Sequence, residues 1–148
     1  MPIAQAATTS FKVELPQGVH NFGPTSPDTF KIALYTAAAN LDASTAVYTT
    51  AGEVVGAGYT AGGNTLVISV SPVAANNLDN VPTAYFSFSN TEWSLGTFTA
   101  RGALIYNTSK GNKSVAVLDF GSDKTVTDEN FSIIFPTPTA NSAIVRIS

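Results

Sequence analysis

The sequence predicts an all-β protein, a single-domain antiparallel β-sandwich in which a jelly roll is one option for the connections. Three observations carry this. Short apolar stretches alternating at a period of two recur between turn signals. No long amphipathic helical pattern interrupts them. The stretch Phe98–Phe120, FTARGALIYNTSKGNKSVAVLDF, sets two apolar runs around a polar loop, Asn107–Lys113, with Gly111 at its centre. That is the pattern of a β-hairpin with a longer loop. Phe98, Ala100, Gly102, Leu104 and Tyr106 fall on one face of its first strand, and Ala116, Leu118 and Phe120 on one face of its second. Apolar residues occupy both faces, which assigns the hairpin to the middle of a sheet.

Taken in order, residues 1–9 are small, uncharged and aperiodic. They read as a flexible arm, either a free tail or a strap that orders against a neighbouring subunit. The remaining residues, 10–148, form the one domain. Ser10–Gly18 admits a short helix capped by Ser10 and closed by Gly18. The alternation of Phe11, Val13 and Leu15 favours a strand. VHNFGPTSPD is a loop. Thr29–Tyr35 is a strand with Phe30, Ile32 and Leu34 inward and Lys31 and Tyr35 outward. Residues 36–46 form a turn with one helical winding, and Val47 and Tyr48 a short edge pairing. Glu53–Gly58 is extended and bent at its glycines, and Gly62–Asn64 turns tightly. Thr65–Val70 is a strand, 71–82 a loop, and Thr83–Phe88 a strand. Trp93, the single tryptophan, plugs one end of the core. Gly121–Lys124 turns the chain. Asn130–Phe135 and Ala143–Ile147 are the last strands. Roughly fifteen inward candidates, at about 1.5–3 kcal/mol for each buried Phe, Leu or Ile, suffice for one core.

Composition narrows function by exclusion. At 148 residues the chain is long enough for a proper core. Only 11% of residues are charged, against about 25% in an ordinary soluble domain. Surface positions are left to Thr, Ser, Asn, Ala and Gly, which suits a subunit packed among neighbours, since charges are depleted in interface cores. A net charge of −3 and scattered Lys and Arg argue against nucleic acid. No segment reads as a signal peptide or a membrane helix, so no membrane partner is expected. There are no cysteines, hence no thiol nucleophile and no thiolate metal site.

VVGAGYTAGG at Val54–Gly63 lacks the helix that a dinucleotide fingerprint requires, so its glycines read as bends. LDFGSD at Leu118–Asp123 has none of the other parts of a kinase. Asp119, Ser122, Asp123, Asp128 and Glu129 have no Ca²⁺-loop spacing and read as a solvated turn. His20, the single histidine, lacks metal-ligand or nucleophile-elbow context and reads as a loop residue. The N-x-S/T triplets at Asn107, Asn112 and Asn130 read as chance. No catalytic residue, metal ligand or cofactor is nominated, and an enzyme is the least favoured class. Tyr35, Tyr48, Tyr59, Tyr85 and Trp93 could line a sugar-binding face. Packing within the sheet or at a subunit contact is the favoured account of them.

DTFKIALYT at Asp28–Thr36, LDASTAVYTTAGEVVGAGYTAGG at Leu41–Gly63, ARGALIYN at Ala100–Asn107 and SVAVLDFG at Ser114–Gly121 together resemble a family of small structural proteins of tailed bacteriophages. The resemblance runs from about Phe11 to Ile147, and GYTAGG and ARGALIYN are its more specific pieces. It implies a virion component without enzymatic role, assembled in the host cytoplasm. The leading expectation is a capsid decoration or cement protein, a homo-oligomer that binds the major capsid protein or other virion subunits. A neck, tail or fibre-base component and a carbohydrate-binding adhesion module are the alternatives. Candidate contact residues, chosen for expected exposure, are Ile3, Phe11, His20, Phe22, Asn107, Lys110 and Asn112.

Overall fold

The computed structural model describes residues 3–147. Strands take up 49% of the described residues and helix 6%, in two antiparallel sheets. In chain order the elements are β1 (Ala6–Ala7), α1 (Thr9–Glu14), β2 (Phe30–Tyr35), β3 (Asn64–Leu66), β4 (Ile68–Asn76), β5 (Pro82–Phe88), β6 (Thr91–Asn107), β7 (Lys113–Ile133) and β8 (Val145–Ile147). The larger sheet has the order β1-β7-β6-β2-β3 and the smaller β4-β5-β8. The β6–β7 hairpin lies inside the larger sheet, as its two-sided apolar pattern requires. A 3₁₀ turn over Thr108–Lys110 closes it, with Gly111 at φ 65°.

The sandwich core fills the space between the sheets. Phe30, Ile32, Leu34, Ala103 and Ile105 of the larger sheet meet Phe86, Phe88 and Val145 of the smaller. Phe22 from the loop before β2 stacks on Phe30, with ring centroids 4.3 Å apart, and reaches Phe86 at 4.1 Å. A second apolar cluster covers the opposite face of the larger sheet: Ile3, Ala33, Tyr35, Ala39, Leu41, Leu104, Tyr106 and Val117. Central strands are therefore buried on both faces. Tyr35 is fully buried rather than outward, because the chain between β2 and β3 folds back over it.

Bulges also reassign faces. A register shift between Ala100 and Gly102 turns β6 by one residue. Phe98 and Ala100 face the sandwich core, while Leu104 and Tyr106 face the second cluster. The alternation read from the sequence holds on either side of the shift but not across it. The turn expected at Gly121–Lys124 is absorbed into β7. Gly102 opposes Asp119 and Ala100 opposes Lys124, so four residues of β7 bulge opposite Arg101 alone. Arg101 spans the bulge, 3.8 Å from Asp119 and 3.6 Å from Asp123. Residues 36–46 contain turns and bends and no helical winding. The expected loop at 71–82 is a strand as far as Asn76, and only Asn77–Val81 turns.

The N-terminal segment departs from expectation in two places. From Ile3 onward it is not a free tail but packs on the chain's own fold. Ile3 is 4% exposed, Ala4 N–H donates to Leu41 O, and Ala6 and Ala7 pair with Val117 and Ala116. Met1 and Pro2 lie outside the described residues. The following segment is a helix, not a strand. Thr8, with no exposed surface, caps it by accepting from Phe11 N–H, a role the sequence reading gave to Ser10. Phe11 and Leu15, four residues apart, share the face that packs on the core, which leaves Val13 outside at 55% exposure. Pro16 ends the helix and Gly18, at φ 72°, reverses the chain.

Candidate interaction surface

Of the seven residues chosen for expected exposure, five are buried in the chain's own fold. Ile3, Phe11, His20, Phe22 and Asn107 are each at most 7% exposed. Lys110 and Asn112 alone are exposed, at the β6–β7 turn. The polar members of the set were placed in loops by composition. What buries them is a hydrogen-bond network that links α1, the 19–28 loop and the hairpin turn.

That network is specific. Asn107 Oδ1 accepts from Ser109 N–H at 3.0 Å, so its amide nitrogen faces His20 Nδ1 at 3.0 Å and Asp28 Oδ2 at 2.8 Å. His20 Nδ1 is thereby the acceptor, and Nε2–H donates to Glu14 Oε1 at 3.0 Å. Asp28 also accepts from Asn21 N–H and lies 3.7 Å from Lys110 Nζ. Burial pushes the Asp28 carboxyl up, but the hydrogen bonds from Asn107 and Asn21 and the Lys110 charge outweigh it and hold it below the usual value. Lys113 approaches Glu14 at 3.5 Å. Every hydrogen-bonding atom of the imidazole is used inside the fold. The arrangement holds elements together and presents no free nucleophile or base.

A second buried network surrounds Glu53, 8% exposed. Its Oε1 accepts from Tyr59 O–H and Gly62 N–H, and its Oε2 from Tyr48 O–H, each at 2.6 Å. Tyr106 O–H donates to Gly62 O, and Tyr35 O–H to Thr49 O. Tyr48 stacks on Tyr106 at 4.7 Å. Burial, and then the neighbouring Glu53 charge, push the Tyr106 phenol up to about 12 and raise Tyr35, Tyr48 and Tyr59 further. The glycines of GYTAGG serve this turn. Gly63 stands at φ 76°, where an added Cβ would lie 1.8 Å from Ile32 O. The motif is a latch that holds the 48–63 segment on the larger sheet.

The aromatic residues considered for sugar binding are largely internal. Trp93 is 4% exposed, packed between Tyr59 and Phe131, and Tyr35 is fully buried. Tyr85 is half-buried on β5, apart from the other four. Among the described residues no three His, Cys, Asp or Glu side chains gather as a metal site.

The exposed apolar surface lies elsewhere. Residues 72–82 of the β4–β5 hairpin are open to solvent apart from half-buried Asn77. Leu78 at its tip is 89% exposed, Val73 44% and Val81 40%. Asp79 is the one charged residue in all of Ile68–Phe88. Val55, Leu95 and Ile134 add further exposed aliphatics. The Pro, Asn and Asp content of this hairpin reads as loop in the sequence. The legible signal was the run of uncharged residues. No protein-family model matches the chain, and neither a curated protein nor a solved structure matches it.

Proposed function

We propose that this chain is a structural protein of a tailed-bacteriophage virion, a capsid decoration or cement protein that binds the outer shell and braces contacts between capsomers. The β4–β5 hairpin carries the reading. A two-stranded ribbon exposed on both faces is marginal on its own. Here its exposed part, residues 72–82, bears a single charge, Asp79, and a leucine at its tip. Such a ribbon gains most by burial against a neighbour. The resemblance of DTFKIALYT, GYTAGG, ARGALIYN and SVAVLDFG to phage structural proteins supplies the setting. The two buried networks suit a subunit that must hold its shape rather than turn over a substrate.

The mechanism is added interface area. A patch of about 800 Å² per partner gives stable association, and weaker patches suffice when many copies engage one lattice. Counting this chain per purified particle by quantitative mass spectrometry tests the proposal. Hundreds of copies, and particles that lose heat resistance when stripped of it, are expected. About a dozen copies would move it to a neck, tail or fibre base, and absence from particles would end the virion reading.

A further inference from the structure

The sandwich is open along one seam. β8 pairs with β5 on one side, and its other edge pairs with no strand among the described residues. Two grooves follow that edge and join at Ala7, Val145 and Arg146. One, of about 550 Å³, runs between β1 and the Ala116–Leu118 stretch of β7 on one side and β8 on the other, and reaches Thr83 and Asn77 of the β4–β5 hairpin. The other, of about 450 Å³, is walled by Phe11, Leu15 and Pro16 on one side and Ile147 on the other.

The charge of this seam opposes that of the chain. The protein has ten acidic and seven basic residues, yet the charged residues lining the two grooves are Lys12 and Arg146. Neither takes part in an ion pair among the described residues. Glu14, the acid on the same helix as Lys12, is already engaged by His20 and Lys113. Arg146 donates to Asn141 O, which leaves donors of its guanidinium free.

We propose that this seam receives an extended segment of a partner protein, one that alternates small aliphatic side chains with carboxylates, added as a strand to the free edge of β8. The backbone of such a segment would satisfy the edge N–H and C=O groups of β8. With a period of two, one set of its side chains enters the apolar groove beside Phe11, Leu15 and Pro16 and the other faces outward. A carboxylate between Lys12 and Arg146 gains charge-assisted hydrogen bonds that no acidic side chain among the described residues supplies. β8 has three residues, about 10 Å of edge. A single contact is therefore modest and discriminates mainly by charge. The inference stands whether or not the chain belongs to a virion.

The test is an NMR titration of the isotope-labelled full chain. The probes are blocked hexapeptides that alternate valine with aspartate, valine with lysine, and valine with asparagine. The aspartate peptide is expected to shift the amides of Ala6, Ala7, Lys12 and Val145–Ile147 and to bind at least tenfold more tightly than the lysine peptide. The double variant Lys12→Glu, Arg146→Glu alters two exposed side chains; with its melting temperature unchanged, it should reverse that preference. Equal binding of all three peptides, shifts confined to other surfaces, or no shifts would each overturn the proposal. So would succinate alone reproducing the shifts at equal concentration, which would reduce the seam to a carboxylate site. Self-association lost in the double variant, seen by sedimentation, would overturn it by making the occupant a second copy.

Discussion

Replacing Glu53 by alanine removes the acceptor at the centre of the latch while leaving its donors in place. Tyr59 O–H and Gly62 N–H both point at Oε1 from 2.6 Å, and Tyr48 O–H at Oε2. Tyr48 can turn its hydroxyl toward water. The two groups on Oε1 are more enclosed, and each stranded donor costs about 1–3 kcal/mol. The expected loss for Glu53→Ala is about 4 kcal/mol, or about 8–16 °C in Tm for a domain of this size. Glu53→Gln keeps one oxygen for the Oε1 pair and offers an amide to which Tyr48 can turn its oxygen. Its cost should be about 1 kcal/mol. Urea unfolding followed by the fluorescence of Trp93, the one tryptophan, measures both. An alanine variant within 1 kcal/mol of the parent, or alanine and glutamine variants of equal stability, would refute the claim that this carboxylate fastens the 48–63 segment.

Further perturbations test other parts of the structure. Four phenols have raised folded values, so the stability they contribute is complete below the unfolded tyrosine value near 10 and declines as pH climbs through the folded values, about 12 for Tyr106. The urea midpoint should fall steadily above pH 10, and a midpoint flat from pH 10 to 12 would contradict the burial of these hydroxyls. Gly63→Ala places a Cβ 1.8 Å from Ile32 O at φ 76°, and should abolish soluble expression or lower Tm by about 10 °C or more. Deleting residues 1–7 removes the buried Ile3 and the β1 pairing and should cost about 3 kcal/mol in urea, whereas a free tail would cost nothing. Leu78→Asp alters a side chain 89% exposed and should leave Tm within about 2 °C while reducing co-sedimentation with particles at least tenfold.

Local pattern was enough to identify the class and the central hairpin. Apolar residues two apart mark a strand wherever one face is buried, and the Asn107–Lys113 loop with its glycine can do little but reverse the chain. Phe30, Ile32, Leu34, Phe86 and Phe88 were legible as core for the same reason. The contact residues were not. Ile3, Phe11, His20, Phe22 and Asn107 sit in a segment or loops whose composition suggests exposure, and each is buried by residues far away in sequence. Asn107 is held by Asp28 and His20 across 79 and 87 positions. The helix at Thr9–Glu14 escaped because Phe11, Val13 and Leu15 fit a period of two as well as Phe11 and Leu15 fit a turn of helix. Packing on the core favoured the latter.

By itself, then, the order of residues determined where strands and turns could form, since that depends on neighbours one to four positions apart. Tertiary structure decided which faces meet water, where bulges move a strand by one residue, and which edge of β8 stays open. Those outcomes depend on burial and hydrogen bonding between segments up to about a hundred residues apart, as in Thr8 with Ser114 across 106 positions, and no local periodicity encodes them.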